Sequence, residues 1–187
     1  LYLNLFLYCA SGFAYLAVVK PGQQKSLNRA TSIFKNHKAV KIAVLGSYGK
    51  TTFKEMLATV LSEGKKVAVT PGNMNVTASH AKFAKKLDGD EDVIIVEFGE
   101  GEPGDIARMA GMLNPDYAII TGLAPNHLDF YPDVKAVADD LLDIYSFVDP
   151  NEVFVNGGSE MLKKYLSDNA LTFNENKMLK WSTKNIK

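Results

Sequence analysis

From Val40 onward, short runs of apolar residues alternate with stretches of helical periodicity, and this alternation limits the folds open to the chain. Parallel strands need long connections, which are usually helices, so the pattern predicts an α/β fold with a mainly parallel sheet and flanking helices. The predicted strands are residues 41–45, 66–70, 92–98, 117–121 and 152–156. The predicted helices are residues 50–62, 77–87, 104–113, 133–148 and 158–167. A chain of 187 residues is expected to form one such domain.

The first predicted helix shows helical periodicity in its apolar residues. Its apolar residues recur three or four positions apart, which is the spacing of one helix face. We therefore expect one buried stripe, formed by Phe53, Met56, Leu57, Val60 and Leu61.

The beginning of the chain has a different character. Residues 1–19 carry no charge, and residues 1–54 contain eight Lys or Arg and no Asp or Glu. A helix of 19 residues nearly crosses a hydrocarbon core of about 30 Å, and a basic flank is typical of the cytoplasmic side. We interpret residues 1–39 as a hydrophobic helix and a basic linker, and prefer a transmembrane segment to a buried core helix. The body would then be cytoplasmic and anchored to the inner face of the cell membrane.

Composition excludes several kinds of site. Cys9 is the single cysteine, so no disulfide can form within the chain. One cysteine and three histidines also exclude a zinc cage of the usual Cys/His kind. Nucleic acid is not an expected partner, because the basic residues adjoin an apolar run and lack interleaved aromatic residues.

The segment GSYGKTT joins the first predicted strand to the first predicted helix. A loop in this position can direct several backbone N–H groups at one anion, and the helix N-terminus adds positive charge. Gly46 and Gly49 would provide unusual backbone angles and close approach. Lys50 would reach terminal phosphates, and the Thr51 hydroxyl would bind Mg²⁺. Taken alone, the motif could equally be an ordinary turn between a strand and a helix.

Two more polar residues are expected at the same edge of the sheet. Glu97 ends the third predicted strand and His127 follows the fourth, and open α/β sheets bind ligands at the carboxyl ends of their strands. A carboxylate and the Thr51 hydroxyl suit Mg²⁺, a hard ion that prefers oxygen. Histidine is a less natural magnesium ligand, so residue chemistry alone favours a polar loop residue at His127.

Four segments, in the same order, resemble the Mur ligase family. GSYGKTT is similar to the family's shortened phosphate loop, G-[TS]-x-G-K-[TS]-[TS], which needs no glycine at Val44. TPGNMN (70–75) and VEFGEGEPGDI (96–106) resemble segments of the MurF branch, and PNHLDFY (125–131) is nearer to the MurE branch. The resemblance implies that residues 40–187 form the P-loop NTPase-like central ATP-binding domain of a MurF-like ligase, without its C-terminal domain.

The resemblance also implies an activity and a set of residues. ATP would activate the carboxylate of a UDP-linked muramyl peptide as an acyl phosphate, and an amino acid or dipeptide would attack it to form an amide in peptidoglycan precursor synthesis. The residues implied for nucleotide binding are Gly46, Ser47, Gly49, Lys50, Thr51, Thr52, Asn73 and Asn75. Those implied for Mg²⁺ are Thr51, Glu97 and His127, and those implied for catalysis are Lys50, Glu97 and His127.

The sequence departs from the family at two places. Leu141 stands where family members have a lysine whose carbamylated side chain helps to hold a second magnesium ion. Asp139 and Asp140 could supply oxygen ligands there, although a solvated helix face is the more ordinary interpretation. The loop EGEP (100–103) is also more acidic than the family's pattern. Two alternatives therefore stay open: a nucleotide-binding module or pseudoenzyme, and a relative of ligases for folylpolyglutamate or other poly-amino acids.

Overall fold

The computed structural model describes residues 4, 7, 10–13, 17, 19–72, 74–126 and 128–173. Within them, six parallel strands form one sheet in the order β2-β3-β1-β4-β5-β6. The strands are β1 (Val40–Leu45), β2 (Val67–Val69), β3 (Val93–Glu97), β4 (Tyr117–Ile120), β5 (Val153–Asn156) and β6 (Leu171–Phe173). The predicted parallel α/β fold is confirmed.

In the described chain, α1 (Lys20–Asn36) precedes β1, and one α-helix lies between each two successive strands. These connecting helices are α2 (Lys50–Leu61), α3 (Thr77–Ala84), α4 (Asp105–Leu113), α5 (Val134–Leu142) and α6 (Glu160–Lys163). Short 3₁₀ turns at Asp143–Ser146 and Pro150–Glu152 follow α5. The predicted helix 133–148 is thus an α-helix whose last part tightens into a 3₁₀ turn, while the other predicted helices between β1 and β6 occur in place, with shorter ends.

The sheet is covered on both faces. Ala43 and Leu45 of β1 point into the larger core, which contains residues from α1, α3, α4 and α5. Ile42 and Val44 point to the opposite face, where α2 packs. Because successive side chains of a strand alternate in direction, the continuous apolar run of β1 is buried on both sides, as parallel sheets require.

The residues expected to form a basic linker are largely helical. In α1, Ala30 and Phe34 are fully buried in the larger core, and the helix packs against α3 and α4. The apolar residues that precede α1 lie mostly outside the described residues, so the predicted hydrophobic helix stays a prediction. Among the described helices, none is long and apolar enough to cross a membrane.

The predicted buried stripe of apolar residues on α2 is only partly confirmed. Phe53, Leu57 and Leu61 pack against the sheet, but Met56 and Val60 are 65% and 69% exposed. The most buried positions of α2 are instead Lys54 and Ala58. Helical spacing predicted the helix correctly, whereas the side of the helix that contacts the sheet was decided by packing.

Candidate active site

The loop between β1 and α2 has the backbone that its glycines predict. Gly46 has φ 130°, and a Cβ there would lie 2.5 Å from the Thr121 hydroxyl oxygen. Gly49 has φ 74°, a left-handed conformation, and immediately precedes α2. Within the described chain, no side chain caps the first turn of α2. The N-terminal amides of this helix are therefore arranged as in an anion-binding loop.

Lys50 is held in this loop by two oxygen atoms. Its Nζ atom donates to the Gly46 carbonyl and lies 3.1 Å from Glu100 Oε2. Glu100 is only 2% exposed, and among the described residues its other carboxylate oxygen, Oε1, has no hydrogen-bond partner. The Lys50 ammonium thus contacts a carboxylate where we expect it to contact a phosphate oxygen of a bound nucleotide.

Thr51 and Glu97, predicted as magnesium ligands, lie next to each other. The Thr51 hydroxyl donates to Glu97 Oε2 at 2.9 Å. Glu97 is the last residue of β3 and pairs in register with Val44 of β1, two residues before the glycine loop. The sheet therefore brings a hydroxyl and a buried carboxylate together at its carboxyl edge, and this pair of oxygen donors suits a hard divalent cation.

Lys54 belongs to the same cluster, and the sequence analysis missed it. It is 0% exposed, and its Nζ atom lies 3.2 Å from Glu97 Oε2. The ammonium also donates to the carbonyls of Thr70 at 2.7 Å and Gly72 at 2.5 Å. Lys54 therefore ties α2 both to the end of β3 and to the loop that follows β2. The sequence signal that could have identified Lys54 is its spacing of four residues from Lys50, which places both lysines on the same face of a helix.

His80 is a second residue of the site that the sequence did not predict, and it contacts the backbone of Glu97. His80 of α3 is fully buried, and its Nε2 atom lies 2.8 Å from the Glu97 backbone carbonyl. Burial lowers the pKa of His80 to about 4, so the ring is neutral at neutral pH. Since a carbonyl can only accept, Nε2 carries the proton in this hydrogen bond. His80 has a structural contact with the strand end that carries the candidate ligand.

Two residues assigned by the resemblance, Asn73 and His127, lie outside the described residues, so their roles stay predictions. Their neighbours do contact the site. The Asn75 carbonyl accepts the N–H of a glycine in the loop after β3 at 2.8 Å. The Asn126 amide donates to the Ser47 carbonyl at 3.0 Å. Both segments therefore reach the glycine loop or the end of β3.

The positions around Leu141 have separate roles. Leu141 is fully buried in the larger core. Asp139 is exposed and pairs with Lys135 at 2.5 Å, as a solvated helix face predicts. Asp140 is buried, which raises its pKa, and its two oxygens accept from the Gly104 N–H at 2.7 Å and the Tyr131 hydroxyl at 2.8 Å. Both carboxylates already have protein partners in this structure.

An open, mainly apolar cavity of about 310 Å³ adjoins the glycine loop. Its lining includes Tyr48, Thr52, Phe53, Thr121, Asn156 and Phe173. The cavity extends from the N-terminus of α2 along the face of the sheet that α2 covers. A group attached to an anion in the loop could therefore lie against an apolar surface.

A parallel sheet whose first strand leads through a glycine loop to an uncapped helix N-terminus defines an α/β domain of the phosphate-loop class. The family model described as Mur ligase middle domain matches residues 44–187. The chain therefore belongs to the Mur ligase family.

Individual relatives agree with this assignment. UDP-N-acetylmuramoyl-tripeptide–D-alanyl-D-alanine ligase of Treponema pallidum is 35% identical over 107 residues, which cover 57% of this chain and 23% of the relative. The ligase of the same name from Escherichia coli is 30% identical over 114 residues, covering 61% and 25%. The MurF ligase of Thermotoga maritima, solved in complex with ADP, has a TM-score of 0.71 at 26% identity and covers 80% of this chain and 35% of that one. The chain thus spans about a quarter of the length of these two curated relatives.

Proposed function

We propose that this chain is the ATP-binding domain of a MurF-like, ATP-dependent amide ligase. The observation that carries the proposal is the convergence of Lys50, Thr51 and Glu97 at one edge of the sheet, with Thr51 Oγ1 and Glu97 Oε2 2.9 Å apart. The ADP complex of the T. maritima relative supports a nucleotide in this domain.

Each residue would have a separate role at the nucleotide. Lys50 and the amides at the start of α2 would bind the phosphates, while Thr51 and Glu97 would hold Mg²⁺. When bound, the ion would neutralise charge on the phosphates during transfer. The apolar cavity beside Tyr48 and Phe53 would accommodate the nucleoside. His127 and Asn73 are proposed as further contacts because the family pattern places them there.

The substrates are proposed from the names of the relatives. ATP would transfer its γ-phosphoryl group to the carboxylate of a UDP-muramoyl tripeptide, which gives an acyl phosphate and ADP. The amine of D-alanyl-D-alanine would then attack the acyl carbon, and phosphate would leave as the amide forms. Since the chain spans about a quarter of those relatives, ligation is assigned to the complete protein. A cytoplasmic location follows from these substrates, and anchoring through residues 1–19 stays a prediction.

The first experiment measures nucleotide binding to the chain by isothermal titration calorimetry in the presence of Mg²⁺. We expect wild-type chain to bind ATP and Lys50→Ala to bind at least about tenfold more weakly, since it loses a charge-assisted contact to phosphate. Lys135→Ala, whose lysine pairs with exposed Asp139, is the matched control and should bind like wild type. Equal affinities for Lys50→Ala and wild type would refute the nucleotide site.

A second experiment separates a ligase from a binding module. Phosphate release by the complete protein is followed with ATP, a UDP-muramoyl tripeptide and D-alanyl-D-alanine, each omitted in turn. A ligase requires all three, whereas a pseudoenzyme binds ATP without acceptor-dependent release. Replacing the muramyl substrate with a folate and glutamate tests the remaining alternative.

A further inference from the structure

A group of uncompensated positive charges lies on α1, α3 and the residues that directly follow them, which we call the basic helix pair. All of these side chains are exposed: Lys20, Lys25, Arg29, Lys35, Lys38, Lys82, Lys85 and Lys86. No Asp or Glu occurs between residues 1 and 54 or between residues 64 and 87. The pair therefore carries eight cations and no anion, in a chain whose net charge is zero.

These charges also differ from most of the other described Lys and Arg side chains in having no ionic partner. Among the described residues, none of the eight forms an ion pair, whereas seven of the nine other described Lys and Arg side chains do. Those seven are Lys41, Lys50, Lys54, Lys66, Arg108, Lys135 and Lys163. Positive potential is thus concentrated on the basic helix pair.

The two helices combine these charges into one surface. α1 and α3 pack side by side, and the Lys85 ammonium donates to the Ser26 hydroxyl at 3.1 Å. Lys82 and Lys85 line a groove of about 500 Å³ together with Gln23 and Leu27 of α1. Segments some 60 residues apart in the sequence therefore form one groove, and its two cations, Lys82 and Lys85, come from α3 and the residue that follows it.

We propose that the basic helix pair docks on the headgroups of an anionic phospholipid bilayer. The uncharged run of residues 1–19 leads directly into Lys20, and the described side chains of Leu7 and Phe13 in that run are exposed. An apolar segment beside a cationic surface has the chemistry of a membrane interface, because lysine and arginine attract anionic headgroups. The proposal concerns a surface separate from the nucleotide site and goes beyond the proposed function.

A nucleic acid fits this surface less well. Single-stranded nucleic acids bind to stacking platforms as well as to cations. The two Phe residues of the helices, Phe34 and Phe83, are both buried, so the described surface of the pair offers no such platform. RNA binding by this surface would overturn the proposal.

The test compares lysine reactivity on two kinds of vesicle. The whole chain is incubated with vesicles of phosphatidylcholine alone or with added phosphatidylglycerol, treated with a water-soluble acetylating reagent, and analysed by mass spectrometry. We expect several-fold protection of Lys25, Lys82 and Lys85 on the anionic vesicles only, and loss of that protection at high salt. Lys135 and Lys164, outside the pair, should react equally on both.

This comparison does not depend on how residues 1–19 interact with the bilayer, because both vesicles have the same hydrocarbon core. Equal reactivity of the pair on both vesicles would overturn the proposal. Equal protection of the control lysines would also overturn it, since no particular surface would then be selected. Protection by soluble RNA as strong as that by anionic vesicles would indicate a nucleic-acid surface instead.

Charge variants give an independent measurement. In vesicle flotation, Lys82→Gln/Lys85→Gln/Lys86→Gln should lose most of the additional binding that phosphatidylglycerol confers. Lys135→Gln/Lys163→Gln/Lys164→Gln removes the same number of charges elsewhere and should retain it. Both variants should bind ATP like wild type, so failure of this surface can be distinguished from failure of the nucleotide site. Equal loss in the two variants would show that only net charge matters and would contradict the proposal.

Discussion

Lys50 and Lys54 lie one helical turn apart on α2, yet their side chains have different surroundings. The side chain of Lys50 is partly exposed and contacts Glu100 and one carbonyl. Lys54 is completely buried and contacts two carbonyls and Glu97. A buried ammonium must have all its hydrogen bonds satisfied by protein, whereas a partly exposed one can exchange partners. Lys50 is therefore suited to bind a ligand, and Lys54 to hold the site together.

The Lys50–Glu100 contact leads to a prediction about affinity. In Glu100→Gln, the carboxylate that competes with phosphate for Lys50 is removed, and so is its repulsion of the nucleotide. We expect ATP to bind roughly tenfold more tightly, equivalent to about 1.4 kcal/mol. Calorimetric titration of the variant and wild type measures this difference.

The matched control is Glu102→Gln, which changes an exposed carboxylate in the same acidic loop. Its affinity should differ little from that of wild type. Weaker ATP binding by Glu100→Gln would indicate that the carboxylate assists nucleotide binding, and would contradict competition between Glu100 and phosphate for Lys50.

At the scale of elements, α2 assembles the site. It carries Lys50, Thr51 and Lys54, and these side chains meet the end of β3 and the loop after β2. This helix is also the one for which the predicted buried face was partly wrong. Burying Lys54 toward the sheet turns Met56 and Val60 toward solvent, so the position of α2 follows from its polar contacts as well as its apolar ones.

The Lys54–Glu97 pair can be tested with a double-mutant cycle. Lys54→Met should lower the free energy of unfolding by about 3–5 kcal/mol, because Glu97 is left buried without its cation. Lys54→Met/Glu97→Gln should be more stable than Lys54→Met, because the uncompensated charge is gone. Urea unfolding of wild type, both single variants and the double variant provides the four values.

Lys135→Met serves as the control for loss of a lysine from a helix, and should change stability little because its ion pair is exposed. If the effects of Lys54→Met and Glu97→Gln simply add, the two side chains do not interact, and Lys54 does not compensate the charge of Glu97.

At the scale of the whole molecule, α1 is part of the folded unit. Its buried residues Ala30 and Phe34 join the core formed with α3 and α4. The charged side chains of α1 point outward, while the chain's acidic residues lie in other regions. The same helix thus completes the core and forms half of the basic helix pair.

This role of α1 predicts a loss of stability on truncation of one side chain. Phe34→Ala should cost about 3–5 kcal/mol, because it removes a fully buried ring and leaves a cavity. Phe130→Ala, at a residue that is 59% exposed, should cost much less. Denaturant unfolding monitored by circular dichroism measures both. Similar small effects would mean that α1 behaves as a detached linker.

The fold was largely predictable, and the reasons are local. Short apolar runs with helical stretches between them specify parallel strands and crossovers, so β1 to β5 occur where expected. β6 has three residues, Leu171–Phe173, too few for a pattern of period two to be distinguished. The approach of Thr51 to Glu97 also followed from position, because Glu97 ends β3 and the glycine loop before Thr51 follows β1, the parallel neighbour of β3.

The other contacts of the candidate site could not be predicted from local sequence patterns. The contacts of Lys54 with Thr70, of Lys50 with Glu100, and of His80 with Glu97 join residues 16, 50 and 17 positions apart. No periodicity connects such residues, since their distance depends on how helices are rotated and how loops return to the sheet. Likewise, Asp139 and Asp140 are neighbours in the sequence, but only Asp140 is turned into the interior.

The sequence by itself determined the parallel α/β architecture, the glycine loop and the membership in the Mur ligase family, because each depends on residues close together along the chain. Only the tertiary structure decided which lysine of α2 is buried and which carboxylate each of the two lysines contacts. It also decided which helices share uncompensated positive charge. Those properties depend on burial and on distances between remote segments, and these are set when the core packs.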